Sequence, residues 1–214
     1  MYKRQVKPRS KPVSRDRVLT EDEVATIWTA LPGAALRGVT RDVFRLLLLT
    51  GQRSGEVSGM RRAEVDVDAA LWTIPAARTK NGRAHTVPLS VAALEIVKAR
   101  LLKADDGRDA PLFAHVGAPM PSNAIAHSAR LKLQLFEDPW TPHDIRRTVA
   151  TMMADSGTLP HVIEAVLNHI SGFRAGVAGT YNRNAYDREK RQALDMWADR
   201  LDACLLYTSP SPRD

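Results

Sequence analysis

The sequence predicts a mainly α-helical fold with one small antiparallel β-sheet. Capping residues and apolar residues at helical spacing mark several segments as helices. Three short runs rich in β-branched residues lie between residues 65 and 89, separated by turn-forming residues, and they indicate the sheet. Apolar residues make up 44% and charged residues 26% of the 214 positions, an ordinary balance that excludes a wholly disordered or fibrous chain.

Two helices are predicted before the strand-rich region. Thr20-Glu-Asp-Glu23 has the pattern of a capping box, which predicts a helix that ends near Leu31. Thr40 is the expected cap of a second helix, Arg41 to Thr50, whose apolar residues lie on one face. Gly51 is the expected stop of this second helix, because glycine readily adopts the left-handed conformation that ends helices.

The predicted sheet consists of three short strands. They are Val65–Val67, Leu71–Ile74 and His85–Leu89. Asn81-Gly82 lies between the second and third runs and is a strong hairpin signal. We therefore expect these two strands to pair in an antiparallel manner.

Five further helices follow the sheet. Thr141-Pro142 is a helix cap followed by proline at the first helical position, a favoured arrangement. On the last helix, Leu194, Trp197 and Leu201 form an apolar stripe. The five predicted helices run from Ser90 to about Lys103, from Ser122 to about Leu135, from His143 to about Ser156, from Pro160 to Asn168, and from Asn184 onward.

The charge balance favours a polyanionic partner. Lys and Arg number 31 against 24 Asp and Glu, for a net charge of +7. The single cysteine excludes a disulfide framework and a cysteine-rich zinc site. The sequence also lacks an H-E-x-x-H zinc motif and the G-x-x-x-x-G-K-[ST] loop of ATPases, so we expect neither a metal nor another cofactor. The longest apolar run, Leu46–Leu49, is far too short to span a membrane.

The two ends of the chain can be traced to a single DNA sequence. Residues 1–5 and Cys204–Tyr207 can be encoded by the two strands of one DNA element, which resembles the mosaic end of a transposase-based sequencing adapter. We interpret both ends as adapter-derived and the rest as a fragment of a longer protein. The chain then divides into adapter-derived ends (1–5 and 204–214), a linker (6–17) and one domain (18–203).

Five segments each place a basic or nucleophilic residue at a helix end or a turn. Taken singly, each has an ordinary interpretation: a solvated arginine, an exposed turn lysine, a polar helix face or a half-buried tyrosine. The ordered set is much more specific. The segments are Thr50-Gly-Gln-Arg53-Ser-Gly-Glu56, Arg78-Thr-Lys80-Asn-Gly-Arg83, His143-Asp-Ile-Arg146, Leu167-Asn-His169 and Gly179-Thr-Tyr181-Asn-Arg183.

This ordered set resembles the tyrosine recombinase, or phage integrase, family, most closely the integrases of prophages and genomic islands. The family's TG-x-R-x-x-E, hairpin lysine, H-x-x-R, L-G-H and tyrosine motifs match Thr50–Glu56, Lys80, His143–Arg146, Leu167–His169 and Tyr181. Asn168 stands where the family usually has glycine. The connection from His169 to Tyr181 is somewhat long, so Tyr186 remains an alternative to Tyr181.

The resemblance implies that residues 18–203 form a tyrosine recombinase catalytic domain of the DNA breaking-rejoining type. Arg53 and Arg146 would each present a planar guanidinium to the oxygens of the DNA phosphodiester. Tyr181 would be the nucleophile that forms a covalent 3′-phosphotyrosine. Because the phosphodiester energy is kept in that bond, strand rejoining would need no ATP.

Three more side chains and a supporting carboxylate complete the implied site. His143 would be the acid or base, since imidazole titrates near neutral pH. His169 would donate a hydrogen bond to a phosphate oxygen, and Lys80 would protonate the leaving 5′-oxygen. Glu56 would orient Arg53. Basic residues expected to hold the DNA backbone are Arg61, Arg62, Arg78, Arg83, Lys132, Arg174 and Arg183.

The implied function is site-specific recombination of double-stranded DNA by a homotetramer on paired sites, with accessory DNA-bending or directionality proteins as further partners. An N-terminal helical domain that clamps the DNA is expected upstream of Val6, and no membrane is involved. The expected location is the nucleoid, in the cytoplasm of a bacterium or a phage-infected cell. Two alternatives stay open: a type IB topoisomerase-like enzyme and a non-catalytic DNA-binding relative. The apolar stripe of the last helix could pack on its own domain or on a neighbouring protomer.

Overall fold

Helices dominate the described part of the computed structural model, which comprises residues 16–115, 118–121, 123–169 and 186–208. The helices of this part are α1 (Glu21–Ala30), α2 (Gly38–Thr50), α3 (Ser54–Ser58), α4 (Val91–Leu101), α5 (Ala124–Lys132), α6 (Pro142–Asp155), α7 (Pro160–Val166) and α8 (Asp187–Thr208). The strands are β1 (Val65–Asp66), β2 (Leu71–Ile74), β3 (His85–Pro88), β4 (Ala114–His115) and β5 (Ala118–Pro119).

The three predicted strands form one antiparallel sheet in the order β1-β2-β3. Trp72 lies opposite Val65 on β1 and Val87 on β3. The predicted mainly helical fold with a small antiparallel sheet is therefore confirmed. The β2–β3 connection is longer than a two-residue turn, because it contains a 3₁₀ turn at Ala76–Arg78 before the glycine of the hairpin signal. The β4–β5 hairpin was not predicted.

The capping signals locate most helix starts correctly. In α1 the hydroxyl of Thr20 accepts from the amide of Glu23, and the Glu23 carboxylate accepts from the amide of Thr20. The prediction that Thr40 caps α2 is wrong. This helix begins at Gly38, and the amide of Thr40 already donates to the carbonyl of Arg37 at 3.0 Å, so Thr40 lies inside the first turn.

Helix α2 is the centre of the core. Its residues Leu46–Leu49 are all buried, because α2 packs against α3, α4, α5, α6 and α8 and has no broad solvent face. Gly51 ends the helix with φ of 63°, which confirms the predicted stop. The chain then turns directly into α3, so the ends of these two helices lie together beside α6.

The apolar stripe of α8 belongs to the core of this chain. Leu194, Trp197 and Leu201 are each 2% exposed or less. The indole nitrogen of Trp197 donates to the carbonyl of Leu48 at 2.7 Å. Of the two alternatives for this stripe, packing on its own domain is the one observed. The predicted start of this helix at Asn184 lies outside the described residues, and the helix continues to Thr208.

Within the described ranges, no helix combines the length and the hydropathy that a membrane span requires.

Candidate active site

Arg53 lies at the N-terminus of α3, immediately after the turn that ends α2. Its Nη1 atom donates to Oε1 of Glu56 at 3.0 Å, and its backbone amide donates to Oε2 of the same carboxylate at 3.2 Å. The Glu56 side chain is only 3% exposed, whereas that of Arg53 is 24% exposed. A buried carboxylate thus fixes a guanidinium that still reaches solvent, which is the geometry that the expected orienting role of Glu56 needs.

Arg146 lies in the first half of α6 and is nearly buried. Its guanidinium donates to the carbonyl of Gly51 at 2.9 Å and to the carbonyl of Leu167. These carbonyls belong to the C-terminal caps of α2 and α7, where partial negative charge favours a cation. Arg146 therefore connects α6 to the C-terminal ends of α2 and α7.

The positive charges of Arg53 and Arg146 act on each other. Burial, followed by the charge of Arg53, lowers the pKa of Arg146 to about 10, while Glu56 opposes this shift. Arg146 remains protonated at neutral pH. The carboxylate of Glu56 pairs with Arg53 and not with Arg146, so the two guanidinium groups leave an excess of positive charge, and a bound anion relieves their repulsion.

His143 lies one turn before Arg146 on α6, so the two side chains share a face of the helix. The imidazole is exposed. Partial desolvation lowers its pKa, and the charges of Arg147, Arg146 and Arg53 lower it further, against a smaller opposing effect of Asp144. These effects favour the neutral imidazole at neutral pH, a form that can accept a proton.

Lys80 and His169 are both exposed and are brought together by their neighbours in sequence. The side-chain amide of Asn81 donates to Oδ1 of Asn168 at 2.7 Å and to its backbone carbonyl at 3.1 Å. Asn168 returns a hydrogen bond to Oδ1 of Asn81 at 3.3 Å. The β2–β3 loop and the turn after α7 are thus joined beside the two predicted site residues.

Asn168 has φ of 48°, in the left-handed region. This conformation explains why the family usually has glycine at this position, since only glycine adopts it freely and asparagine is the best tolerated alternative. The departure from the family pattern is therefore compatible with the same turn.

The predicted nucleophile, Tyr181, lies outside the described residues, as do Arg174 and Arg183. The alternative, Tyr186, immediately precedes α8 and has φ of 51°. Its ring centroid is 5.1 Å from that of His161, and its carbonyl accepts from the amide of Lys190 at 2.8 Å. Tyr186 is therefore held at the start of α8 by contacts with α7.

The other predicted DNA-binding residues fall into two groups. Arg61, Arg83 and Lys132 are exposed. Arg62 is half-buried and donates to the carbonyl of Leu101 at 2.6 Å, at the end of α4. The exposed Arg61 also donates, to the carbonyl of Asp109 at 3.2 Å. For all of them, contact with DNA stays a prediction.

Arg78 has an internal role that the sequence did not indicate. Its Nη1 atom donates to both carboxylate oxygens of Glu64 at 2.6 and 2.7 Å. Its Nη2 atom donates to the carbonyl of Glu56 at 2.6 Å. Arg78 therefore attaches the β2–β3 loop to α3, the helix that carries Arg53.

A buried polar group beneath the site was also missed. His85 and Gln52 both donate to the carbonyl of Val166 at 2.9 Å and so hold the end of α7. Burial, followed by the charge of Lys190, lowers the pKa of His85 to about 3. The Lys190 ammonium donates to the carbonyl of Thr86 at 2.8 Å. Alternation with the apolar Val87 is the one sequence signal that places His85 on the inner face of β3.

Comparison with known proteins agrees with this geometry. A model described as "Phage integrase family" matches residues 17–188. Prophage integrase IntA of Escherichia coli (strain K12) is 32% identical over 182 residues, which cover 85% of this chain and 43% of that protein. This chain spans less than half the length of the first curated relatives that it matches.

Solved structures confirm the fold expected from the sequence. The integrase from mycobacterium phage Brujita has a TM-score of 0.65 at 15% identity, over 92% of this chain and 65% of that one. The Tn1549 transposon integrase in complex with transposon right end DNA has a TM-score of 0.60 at 17% identity, over 87% of this chain and 68% of that one.

Proposed function

The chain belongs to the phage integrase family, and from this premise we propose that it is the catalytic part of a site-specific DNA recombinase. It cleaves and rejoins DNA strands through a covalent 3′-phosphotyrosine. The protein needs neither ATP nor a metal for this reaction, because the covalent intermediate keeps the energy of the phosphodiester bond.

The observation that carries the proposal is the convergence of Arg53 and Arg146. Arg53 precedes α3 and Arg146 lies on α6, and the Arg146 guanidinium donates to the carbonyl of Gly51 at 2.9 Å, two residues before Arg53. Burial, followed by the charge of Arg53, lowers the pKa of Arg146. A phosphodiester is an anion that repels nucleophiles, and its transition state gathers further charge on the non-bridging oxygens. Two fixed guanidinium groups stabilise that charge more than the ground state.

The proposed cleavage step transfers the phosphoryl group from a 5′-oxygen to a tyrosine. The hydroxyl oxygen of Tyr181 forms a bond to phosphorus, and the bond from phosphorus to the 5′-oxygen breaks. His143, which favours its neutral form, accepts the tyrosine proton, and Lys80 gives a proton to the departing oxygen. His169 donates a hydrogen bond to a non-bridging oxygen. Rejoining is the reverse of these steps.

Double-stranded DNA is the proposed partner. The basic excess of the chain and the exposed cations Arg61, Arg83 and Lys132 support binding to the phosphate backbone. The complex of the Tn1549 integrase with DNA supports the same conclusion. We extend the proposal to a homotetramer on paired sites, to accessory DNA-bending or directionality proteins, to action on DNA in the cytoplasm, and to residues 18–203 as the catalytic domain.

A nicked suicide duplex tests the proposal. The duplex is made from the DNA that flanks the parent gene and carries a nick next to each candidate cleavage position, so that the short 5′-hydroxyl strand is lost after cleavage. We expect a protein–DNA band that survives denaturation, forms in EDTA without ATP, and carries the protein on the 3′-phosphate. A complete absence of this band over the whole flanking region contradicts the proposal.

A pair of matched variants connects the band to the arginine pair. Arg146→Lys keeps the charge but removes the planar fork, and we expect it to lower adduct formation by about a hundredfold or more. Arg108→Lys makes the same change at an exposed loop position and should leave adduct formation unchanged. Equal activity of both variants would remove Arg146 from the mechanism.

A further inference from the structure

We infer that Asn81 and Asn168 are positioning residues that set the place of Lys80 during strand cleavage. This inference rests on the proposed function, in which Lys80 protonates the leaving 5′-oxygen. It concerns a contact between two site segments that are far apart in sequence, and neither asparagine is one of the expected catalytic residues.

The contact between the two asparagines is extensive for side chains of this size. Three hydrogen bonds join them, of 2.7, 3.1 and 3.3 Å, and they use both the side-chain amides and the carbonyl of Asn168. Asn168 is only 6% exposed. Hydrogen bonds within a low-dielectric environment hold their geometry better than bonds at the surface, where water competes.

The turn at residue 168 does not itself need this side chain. Its φ of 48° suits glycine best, and asparagine only tolerates it. The side chain of Asn168 is therefore not required for the turn, and its contribution is the pair of hydrogen bonds to the side chain of Asn81. Asn81 also accepts from the amide of Arg83 at 3.1 Å, which fixes the tip of the loop itself.

Lys80 is flanked in sequence by two residues whose side chains hold the loop to the rest of the domain. On its N-terminal side Arg78 is tied to Glu64 and to the carbonyl of Glu56. On its C-terminal side Asn81 is tied to Asn168. Among the described residues, the Lys80 ammonium has no partner of its own, so its place depends on where the backbone of the loop is held. Removal of the Asn81 attachment leaves only the Arg78 side, and the ammonium then samples positions away from the leaving oxygen.

The leaving group provides a specific test. In an ordinary duplex the departing 5′-oxygen is strongly basic and needs a proton. In a duplex with sulfur in place of that bridging oxygen, the departing thiolate is stable without one, since thiols have a pKa of about 8.5. A defect in the placement of the proton donor therefore slows the first reaction and spares the second, whereas general damage to the site slows both.

We compare Asn81→Ala, Asn168→Gly and the double variant in single-turnover cleavage of both duplexes. Glycine at 168 keeps the turn, so this variant removes only the side chain. Each single variant should slow cleavage of the ordinary duplex by about 10- to 100-fold, the effect of a small misplacement. The double variant should be no slower than the singles, and on the sulfur duplex all three should stay within about threefold of the unaltered protein.

Two controls separate the possible failures. Asn123→Ala alters an exposed asparagine whose side chain makes no capping bond, and it should cleave both duplexes normally. Lys80→Ala should also cleave the sulfur-substituted duplex at nearly the normal rate, but it should slow cleavage of the ordinary duplex more than the asparagine variants do. Unchanged rates in the Asn81 and Asn168 variants, or equal losses on both duplexes, overturn the positioning role. An unaltered protein that cleaves neither duplex contradicts the proposed function instead.

Discussion

The carbonyl of Gly51 accepts a hydrogen bond at 2.9 Å from the guanidinium of Arg146. Gly51 is also the left-handed residue that ends α2, with φ of 63°. A Cβ atom at this position would lie 3.0 Å from side-chain atoms of both Leu167 and Val149. One glycine therefore ends a helix, accepts a hydrogen bond from a site arginine, and leaves room for Val149 of α6 and for Leu167, which follows α7.

Replacement of Gly51 by alanine should destabilise the protein by more than backbone strain alone. A left-handed non-glycine residue costs about 1–2 kcal/mol, and overpacking in a well-filled region adds about 1–3 kcal/mol. Gly82 provides a matched control, because it has φ of 67° but nothing within 4 Å of an added Cβ. Chemical denaturation should show a larger loss of unfolding free energy for Gly51→Ala than for Gly82→Ala. Equal losses would mean that the approach of Leu167 and Val149 does not matter.

Arg53→Ala should destabilise the protein through Glu56. The carboxylate is 3% exposed and loses its cation, which we expect to cost about 2 kcal/mol, less than for a fully buried pair because Arg53 is 24% exposed. Glu56→Gln removes the buried charge while keeping the shape. The double variant Arg53→Ala/Glu56→Gln should therefore unfold at a higher denaturant concentration than Arg53→Ala alone. Additive losses in the double-variant cycle would argue that the two side chains are not coupled.

His85 should make stability depend on pH. Its pKa is about 3 in the folded protein against 6.5 in the unfolded chain, so between these values the unfolded chain binds one more proton. The free energy of unfolding should therefore fall as the pH falls below 6.5, by up to about 1.4 kcal/mol per pH unit. In His85→Gln this contribution should be absent, while the exposed His127→Gln should keep it. Parallel pH profiles for the protein and His85→Gln would contradict the assignment.

Trp197→Ala should destabilise the folded protein strongly, because Trp197 is 2% exposed and its indole nitrogen donates a hydrogen bond to the carbonyl of Leu48 on α2. Large-to-small changes of this kind cost about 3–5 kcal/mol. Met196 is the adjacent residue on α8 and is 39% exposed, so Met196→Ala should change the unfolding free energy by less than about 0.5 kcal/mol. A stable Trp197→Ala protein that fails only in assembly on DNA would show that the stripe serves an interface instead.

Local signals predicted the elements whose cause is local. The capping box at Thr20 and the Thr141-Pro142 cap located α1 and α6 well, because the hydrogen bonds of both caps join residues three apart. The prediction that Thr40 caps α2 was wrong because a threonine in the first turn of a helix has the same sequence pattern as a threonine cap. The strands β4 and β5 are two residues each and too short to show any periodicity.

The site was predicted from the order of its motifs, and its supporting contacts were not. The bond between Asn81 and Asn168 joins residues 87 positions apart, and no periodicity links them. Arg78 looked like a DNA contact because it is basic and lies in a basic loop, yet its position against Glu64 depends on how the loop packs on α3. Such partners are set by tertiary packing, which a single sequence does not encode in a local pattern.

In the proposed mechanism a tyrosine hydroxyl of this chain attacks DNA, and we propose that the tyrosine is Tyr181. The alternative, Tyr186, is fixed at the start of α8 by its contact with His161, whereas in-line attack requires an oxygen that can adjust to the leaving group. The two tyrosines therefore make a matched pair for the same substitution, since each change to phenylalanine removes one oxygen and little else.

The most direct measurement is the covalent band on the nicked suicide duplex for Tyr181→Phe and for Tyr186→Phe, with DNA binding measured in parallel. Tyr181→Phe should abolish the band and leave binding intact, and Tyr186→Phe should retain both. Loss of the band in Tyr186→Phe alone would transfer the role to Tyr186. A band that survives both substitutions would contradict the tyrosine mechanism.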